Sequence, residues 1–269
     1  MIYLTRVLVG ACCVYFSMLL PAIGELKADE ISVLYIGVTG SSVHLGARQG
    51  LAEANAQGEF MGIHYRLVSF DEVSNGGSTP VAIISAVNAT RLLQLVEQNQ
   101  NVPVFNTAVA DPALRENCRD NLFHVGPSTA MLADAERQWQ QKNPGSPARA
   151  RTWHQTFRKY AAAQLNLRFK DRFGAEMDDG AWVGWAAMKL LSDKIVRQPA
   201  IAGEDLIEEL KTNLAFDGQK GIDMSFRETG QLRQPLLLID ADEIVGEAPV
   251  HGVVDSSNLD SLGVPFCTE

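Results

Sequence analysis

The chain has 269 residues, with 23 Lys and Arg against 32 Asp and Glu and a formal net charge of −9. That balance argues against nucleic acid or an anionic lipid surface as a partner, because no basic excess offsets the repulsion. A small anionic ligand is not excluded, since it needs only a few cations gathered in one pocket.

The first residues read as an export signal. Arg6 is the one positive charge ahead of Val7 to Ile23, a stretch without charge whose run Val14–Leu20 is apolar apart from Ser17. Pro21 breaks the run, and Ala22 and Gly24 are small residues before Glu25. This is the order of a secretory signal peptide, with cleavage expected after Gly24 or Ala28, so residues 1–28 are set apart from the mature protein. A transmembrane anchor is the alternative, but a span needs about 20 apolar residues. A lipid-anchor reading through Val9-Gly10-Ala11-Cys12 leaves too little apolar length before the cysteine. About 240 residues remain, enough for one large domain or two small ones. Cys12 and Cys13 fall in the signal, leaving Cys118 and Cys267. An even pair in an oxidising compartment suggests a disulfide; two free thiols are the alternative.

The mature chain opens on Ile31–Val38, a β-branched apolar run that reads as a buried parallel strand. Thr39-Gly40-Ser41-Ser42 turns and caps a helix over Val43–Ala56, with Ala47, Leu51 and Ala54 inward. His64–Phe70 is the second strand, and Ser74–Pro80 a Ser/Gly-rich loop. Val81–Val87 is the third strand, Asn88–Gln98 a helix, Val102–Asn106 the fourth strand and Leu122–Val125 the fifth. The alternation predicts an α/β, Rossmann-like parallel sheet flanked by helices, in a lobe over 29–139. A helix opens at Pro127-Ser128 and runs through Trp139, and 140–152 looks like a polar connector. Trp153, Phe157, Ala161, Leu165 and Phe169 recur every four residues, predicting an amphipathic helix that Gly174 ends. Ala181–Val196 and Asp205–Leu210 are further helices. Pro235–Asp240 and Glu243–Val250 are two strands joined by a tight turn at Ala241-Asp242. The segment 153–269 thus adds helices and terminal strands that complete the lobe and leave a residual second one.

Several blocks resemble the type I periplasmic solute-binding proteins of ABC importers, the Leu/Ile/Val-binding kind. Gly46-Ala47-Arg48-Gln49-Gly50-Leu51-Ala52-Glu53-Ala54-Asn55, with Gly58, Gly62 and Leu67 through Asp71, looks like that family's first helix, its stop and its second strand. Phe216-Asp217-Gly218-Gln219-Lys220-Gly221, then Phe226 and Gly230, resembles its late FDG segment. Narrower likeness points to the branch found beside pyrroloquinoline quinone (PQQ) alcohol dehydrogenase systems. It is carried by Asn121–Ser128 with Ala130–Ala135, by Ala163–Phe169, by Gly180-Ala181-Trp182 and by Gly230–Pro235. Members are commonly longer, and the interval that here is a short bridge to Trp153 holds most of their second Rossmann-like lobe. The resemblance therefore implies one lobe kept, with the second largely missing and the helix near Ser74–Pro80 shortened. It implies a periplasmic binding component with a small, anionic or quinone-like ligand and an ABC permease as partners, and a periplasmic dehydrogenase as a further one. The alternative is a one-lobed interaction protein that does not transport.

No enzyme signature appears: there is no G-x-S-x-G, H-E-x-x-H or Walker loop. The five histidines are scattered, and no cofactor or metal is expected. Asp240, Asp242 and Glu243 lack the spacing of a calcium loop and read as a solvated turn. Ligands of open α/β sheets sit beyond the carboxyl ends of the strands, at helix N-termini. Thr39, Ser41, Ser42, Asn106, Thr107 and Ser128 are candidates there, against the alternative of ordinary helix caps. Trp153 and Trp182 are candidates for stacking on a planar ligand, against core packing. Arg233 or Arg48 is a candidate for pairing with a carboxylate, against a solvent-exposed role.

Overall fold

In the computed structural model, residues 29–268 are described; the expected export signal lies outside them. The chain alternates β1 (Asp29–Ile36), α1 (Ser42–Gly58), β2 (Ile63–Val68), α2 (Phe70–Ser74), β3 (Ala82–Ser85), α3 (Ala89–Gln98), β4 (Val104–Asn106), α4 (Ala113–Glu116) and β5 (Leu122–His124). The five strands pair in parallel in the order β2-β1-β3-β4-β5. This is the expected α/β sheet. Its strands bury both faces, as the near-continuous apolar runs require. Val33, Ile84, Phe105 and Phe123 point to one cluster with α1 and later helices. Leu34, Ile83, Val104 and Leu122 point to the other, beneath Leu92 and Val96 of α3.

The second half builds α5 (Thr129–Lys142), β6 (Arg149–Arg151), α6 (Ala162–Phe173), α7 (Asp179–Arg197), α8 (Gly203–Thr212), β7 (Leu236–Asp240) and β8 (Glu243–Ala248). α6, α7 and α8 return to the parallel sheet and complete its first cluster. α7 lies against α1 so closely that a Cβ on Gly46 would stand 1.8 Å from the Ala181 carbonyl oxygen, and one on Gly184 2.0 Å from that of Val43. β6, β7 and β8 form a separate antiparallel sheet. It carries its own small core, in which Leu236, Leu238 and Ala248 pack on Met131 and Ala135 of α5.

Three sequence expectations are corrected here. The connector over 140–152 contains the strand β6, whose three residues are too few for periodicity to reveal. The helix expected from Trp153 begins only at Ala162, after Tyr160 and Ala161 take left-handed φ of 51° and 67°; Trp153 and Phe157 are buried in the preceding loop. Phe70, expected to end a strand, instead opens α2, because Ser69 and Glu72 form a reciprocal capping box. That five-residue helix is the shortened element near Ser74–Pro80.

Cys118 and Cys267 are joined in a disulfide, with Cα atoms 5.7 Å apart. The tail beyond β8 packs along α5, where the Gly263 N–H donates to Asp134 Oδ2 at 2.7 Å and Gln138 Nε2 to the Ser261 carbonyl at 3.2 Å. Just before these residues it touches the large unit (β1–β5, α1–α4 and α6–α8, as against the small unit of α5 and β6–β8), where buried Arg227 donates through Nε to Asp260 Oδ1 at 2.7 Å and through Nη2 to the Leu259 carbonyl at 2.5 Å. The bridge pins the end of this strap.

Candidate functional site

The chain passes between the large and small units three times, at Val125–Ser128, at Thr152-Trp153 and at Gln234-Pro235, before the tail returns. One buried polar knot ties these crossings together. Gln234 Nε2 donates to the Val125 carbonyl at 2.7 Å, and the Thr152 hydroxyl donates to Gln234 Oε1. Lys220 is fully buried and donates to Thr152 Oγ1 at 3.1 Å, to Gln234 Oε1 at 3.0 Å and to the Pro235 carbonyl at 2.9 Å. Its Nζ also stands 4.0 Å from the centre of the Trp182 ring. Burial pushes the Lys220 ammonium down to about 7, with Asp179 and Glu247 opposing the shift.

In front of the knot, at the carboxyl ends of β4 and β5, lies a cavity of about 250 Å³ lined by both units. The large unit supplies the Asn106–Ala110 backbone, Gly126 and the first turn of α7 at Asp179 and Gly180. The small unit supplies Leu132 of α5 and the strand run Ala150-Arg151-Thr152. Arg151 and Asp179 are paired across the mouth, and the second oxygen of Asp179 accepts the Trp153 N–H at 2.7 Å. A separate cavity of about 330 Å³ lies at the ends of β1 and β2, walled by Tyr35, His44 and Phe70. A further depression, of about 740 Å³, lies at the opposite, amino-terminal edge of the sheet beside α8.

The residues expected at the site divide among these places. Asn106 and Thr107 line the cavity between the units, whereas Thr39 lines the one beside β2. Ser41 and Ser128 are the N-caps of α1 and α5, accepting the N–H groups of His44 and Met131. Ser42 donates to Asp178, the N-cap of α7, at 2.6 Å. The Asn106 and Thr107 side chains are themselves engaged, Asn106 Nδ2 with the Val109 carbonyl at 2.7 Å and Thr107 Oγ1 with that of Ser85 at 2.8 Å. What they offer the cavity is backbone and shape.

The aromatic and arginine candidates are placed elsewhere. Trp153 and Trp182 stack on each other at 6.0 Å, both fully buried. Their indole N–H groups donate to Asn166 Oδ1 and to the Gly218 carbonyl. They are core residues, with no ring face left for a planar ligand. Arg233 donates to Asp260 at 2.9 Å and to the Phe226 carbonyl at 2.7 Å, away from the cavity. Arg48 lies over the Phe173 ring.

Sequence reasoning missed Arg151, Thr152, Asp179 and the knot residues Lys220 and Gln234. The last two stand inside blocks that carried the family likeness, Phe216–Gly221 and Gly230–Pro235, where a lysine amid glycines was the available signal. Among the described residues no three His, Cys, Asp or Glu side chains converge as a metal site, and no helix is long and apolar enough to cross a membrane.

No family model matches the sequence, and no curated protein does. Solved structures do match in fold. A periplasmic binding protein from Burkholderia mallei superposes with a TM-score of 0.64 at 10% identity, over 86% of this chain and 97% of that one. A branched chain amino acid ABC transporter periplasmic ligand-binding protein from Burkholderia xenovorans gives 0.63 at 12%, over 81% and 95%. A solute-binding protein of an ABC transporter from Rhodopseudomonas palustris, in complex with 3,4-dihydroxybenzoic acid, gives 0.64 at 10%, over 81% and 95%. The fold is that of the type I periplasmic binding proteins.

Proposed function

We propose that this chain is an exported solute-binding protein that holds a small anionic solute between its two units and presents it to an ABC permease. The observation that carries the reading is the cavity lined by both units at the carboxyl ends of the strands, behind which the chain crosses three times. Ligand pockets of open α/β sheets lie at those ends, and closure about crossing strands is a common way to trap a ligand. Among the described residues no three His, Cys, Asp or Glu side chains gather to hold a metal, and the reading is binding without catalysis. The large unit (β1–β5, α1–α4, α6–α8) and the small unit (α5, β6–β8) are its two lobes. Its place is the periplasm, as the amino-terminal pattern of residues 1–28 supports.

Size narrows the solute. The cavity is slightly below the roughly 300–1,000 Å³ common for ligand pockets, so a single-ring acid, such as the dihydroxybenzoate held by the R. palustris neighbour, suits it better than fused-ring PQQ. A role beside PQQ-dependent alcohol oxidation, with a periplasmic dehydrogenase as partner, rests on the sequence blocks around Asn121–Ala135 and Gly230–Pro235.

Titration of mature protein with benzoate, 3,4-dihydroxybenzoate and PQQ, followed by calorimetry, tests the reading. Saturable binding of a single-ring acid is expected, with a smaller radius of gyration in solution scattering on saturation. A Cβ on Gly126 would meet only Val183 and the Thr107 carbonyl at 3.7–4.0 Å. The Gly126 backbone thus has room for a Cβ, and Gly126→Phe, which adds a ring at the cavity lining, is expected to abolish binding while the stability stays within about 1 kcal/mol of the parent's. Undiminished binding by Gly126→Phe would remove this cavity as the site.

A further inference from the structure

We propose that Lys220 is the charge that selects an anionic over a neutral solute in the cavity between the units, and that binding such an anion draws a proton onto this residue. The inference rests on the binding reading above and adds the selecting group and the pH response.

Three observations lead to it. First, every group around Nζ is an acceptor. The Thr152, Gln234 and Pro235 oxygens surround it at 2.9–3.1 Å, and the Thr152 hydroxyl proton is already given to Gln234. Three acceptors suit the three N–H bonds of an ammonium; a neutral amine would turn its lone pair toward an oxygen. The Trp182 face at 4.0 Å favours the cation too. Second, this buried cation has no carboxylate of its own. The acids whose charge acts on it, Asp179 on α7 and Glu247 on β8, are already paired with Arg151 and Lys159. In the adjoining chain, Asp217 accepts the Lys220 backbone N–H through its carbonyl, and the Tyr160 ring packs over Gly221. Third, Thr152 and Asp179 are at once neighbours of Lys220 and lining of the cavity. With Arg151 and Asp179 paired, Lys220, which stands behind the wall and touches it through Thr152, is a positive charge there without an ion-pair partner. An anion in the cavity is its missing counter-charge, and the low dielectric behind the wall strengthens their attraction.

The pH response follows by linkage. Burial holds Lys220 near 7 in the free protein. An anion favours the charged form, so it raises that value, takes up protons on binding around and just above neutral pH, and binds more weakly as pH rises.

Benzoate and its uncharged isostere benzamide test this by calorimetry at about pH 6 and about pH 9, in buffers of differing ionisation heat. The wild-type protein is expected to favour benzoate about tenfold at the lower pH, to lose most of that preference at the higher one, and to take up protons between. Lys220→Met is expected to bind the two probes alike at both values. Should that variant not fold, the Lys220 side-chain NMR resonance of the wild type serves instead; it is expected to titrate near neutrality and to move up by about one unit with saturating benzoate. Benzamide and benzoate binding equally at both pH values, or a Lys220 resonance unmoved by benzoate, would overturn the proposal and leave the cavity as a binding site. Failure of both probes to bind would overturn the cavity reading and this inference with it.

Discussion

Gly46→Ala is expected to lose at least about 3 kcal/mol of stability, although a helix interior normally gains up to about 1 kcal/mol from that change. The sign reverses because of where the methyl group would go. A Cβ on Gly46 stands 1.8 Å from the Ala181 carbonyl oxygen and 2.6 Å from its carbon, all backbone of α7. No rotamer relieves that overlap; the two helices must part. Parting them withdraws α7 from the core that it builds with α1, where Trp182, Trp185 and Leu191 are fully buried. Gly184→Ala, which places a methyl 2.0 Å from the Val43 carbonyl oxygen across the same contact, is expected to act alike. The two together should cost less than their sum, since one displacement serves both. Denaturant unfolding measures this; either variant as stable as the parent would show that the helices are not in backbone contact.

Removing the Cys118–Cys267 bridge is expected to cost about 3 to 5 kcal/mol. The bond joins residues 149 apart, and closing so long a loop restricts the unfolded chain by about 5 kcal/mol on the entropic account. The double Cys118→Ser, Cys267→Ser protein should therefore unfold at markedly lower denaturant. It should also expose its tail to protease first, because the bridge holds the strap that Arg227 and Asp260 fasten to the large unit. Non-reduced peptide mapping that finds two free thiols would refute the bond itself.

Much of the parallel sheet was legible in the sequence, because its strands are continuous apolar runs separated by capped helices, and those periodicities act locally. The antiparallel unit was half legible. The β7–β8 hairpin showed through its turn, Ala241-Asp242, both at positive φ, whereas β6 acquires its identity only by pairing with β7. Trp153 and Phe157 kept helical spacing without a helix: their four-residue rhythm continues into α6, but tertiary packing buries them in a loop against Trp182. The candidate site was legible in location and not in membership. Rules for strand ends led to Asn106 and Thr107, while Lys220 and Gln234 are distant in sequence from the ends they serve. No local pattern marks a side chain whose role is set by three crossings brought together from residues 125, 152 and 235.

The knot places two properties in one group of atoms. Its acceptors around Lys220 belong to different crossings, Thr152 to one and Gln234 with Pro235 to another, while Gln234 holds the third through Val125. Any rotation of the small unit against the large one must alter the distances that keep an ammonium satisfied, and any change in that charge must alter the rotation preferred. On the binding reading proposed above, solute preference and mechanical compliance are then not independently adjustable: a substitution that stiffens or loosens the joint is expected also to retune what the cleft accepts.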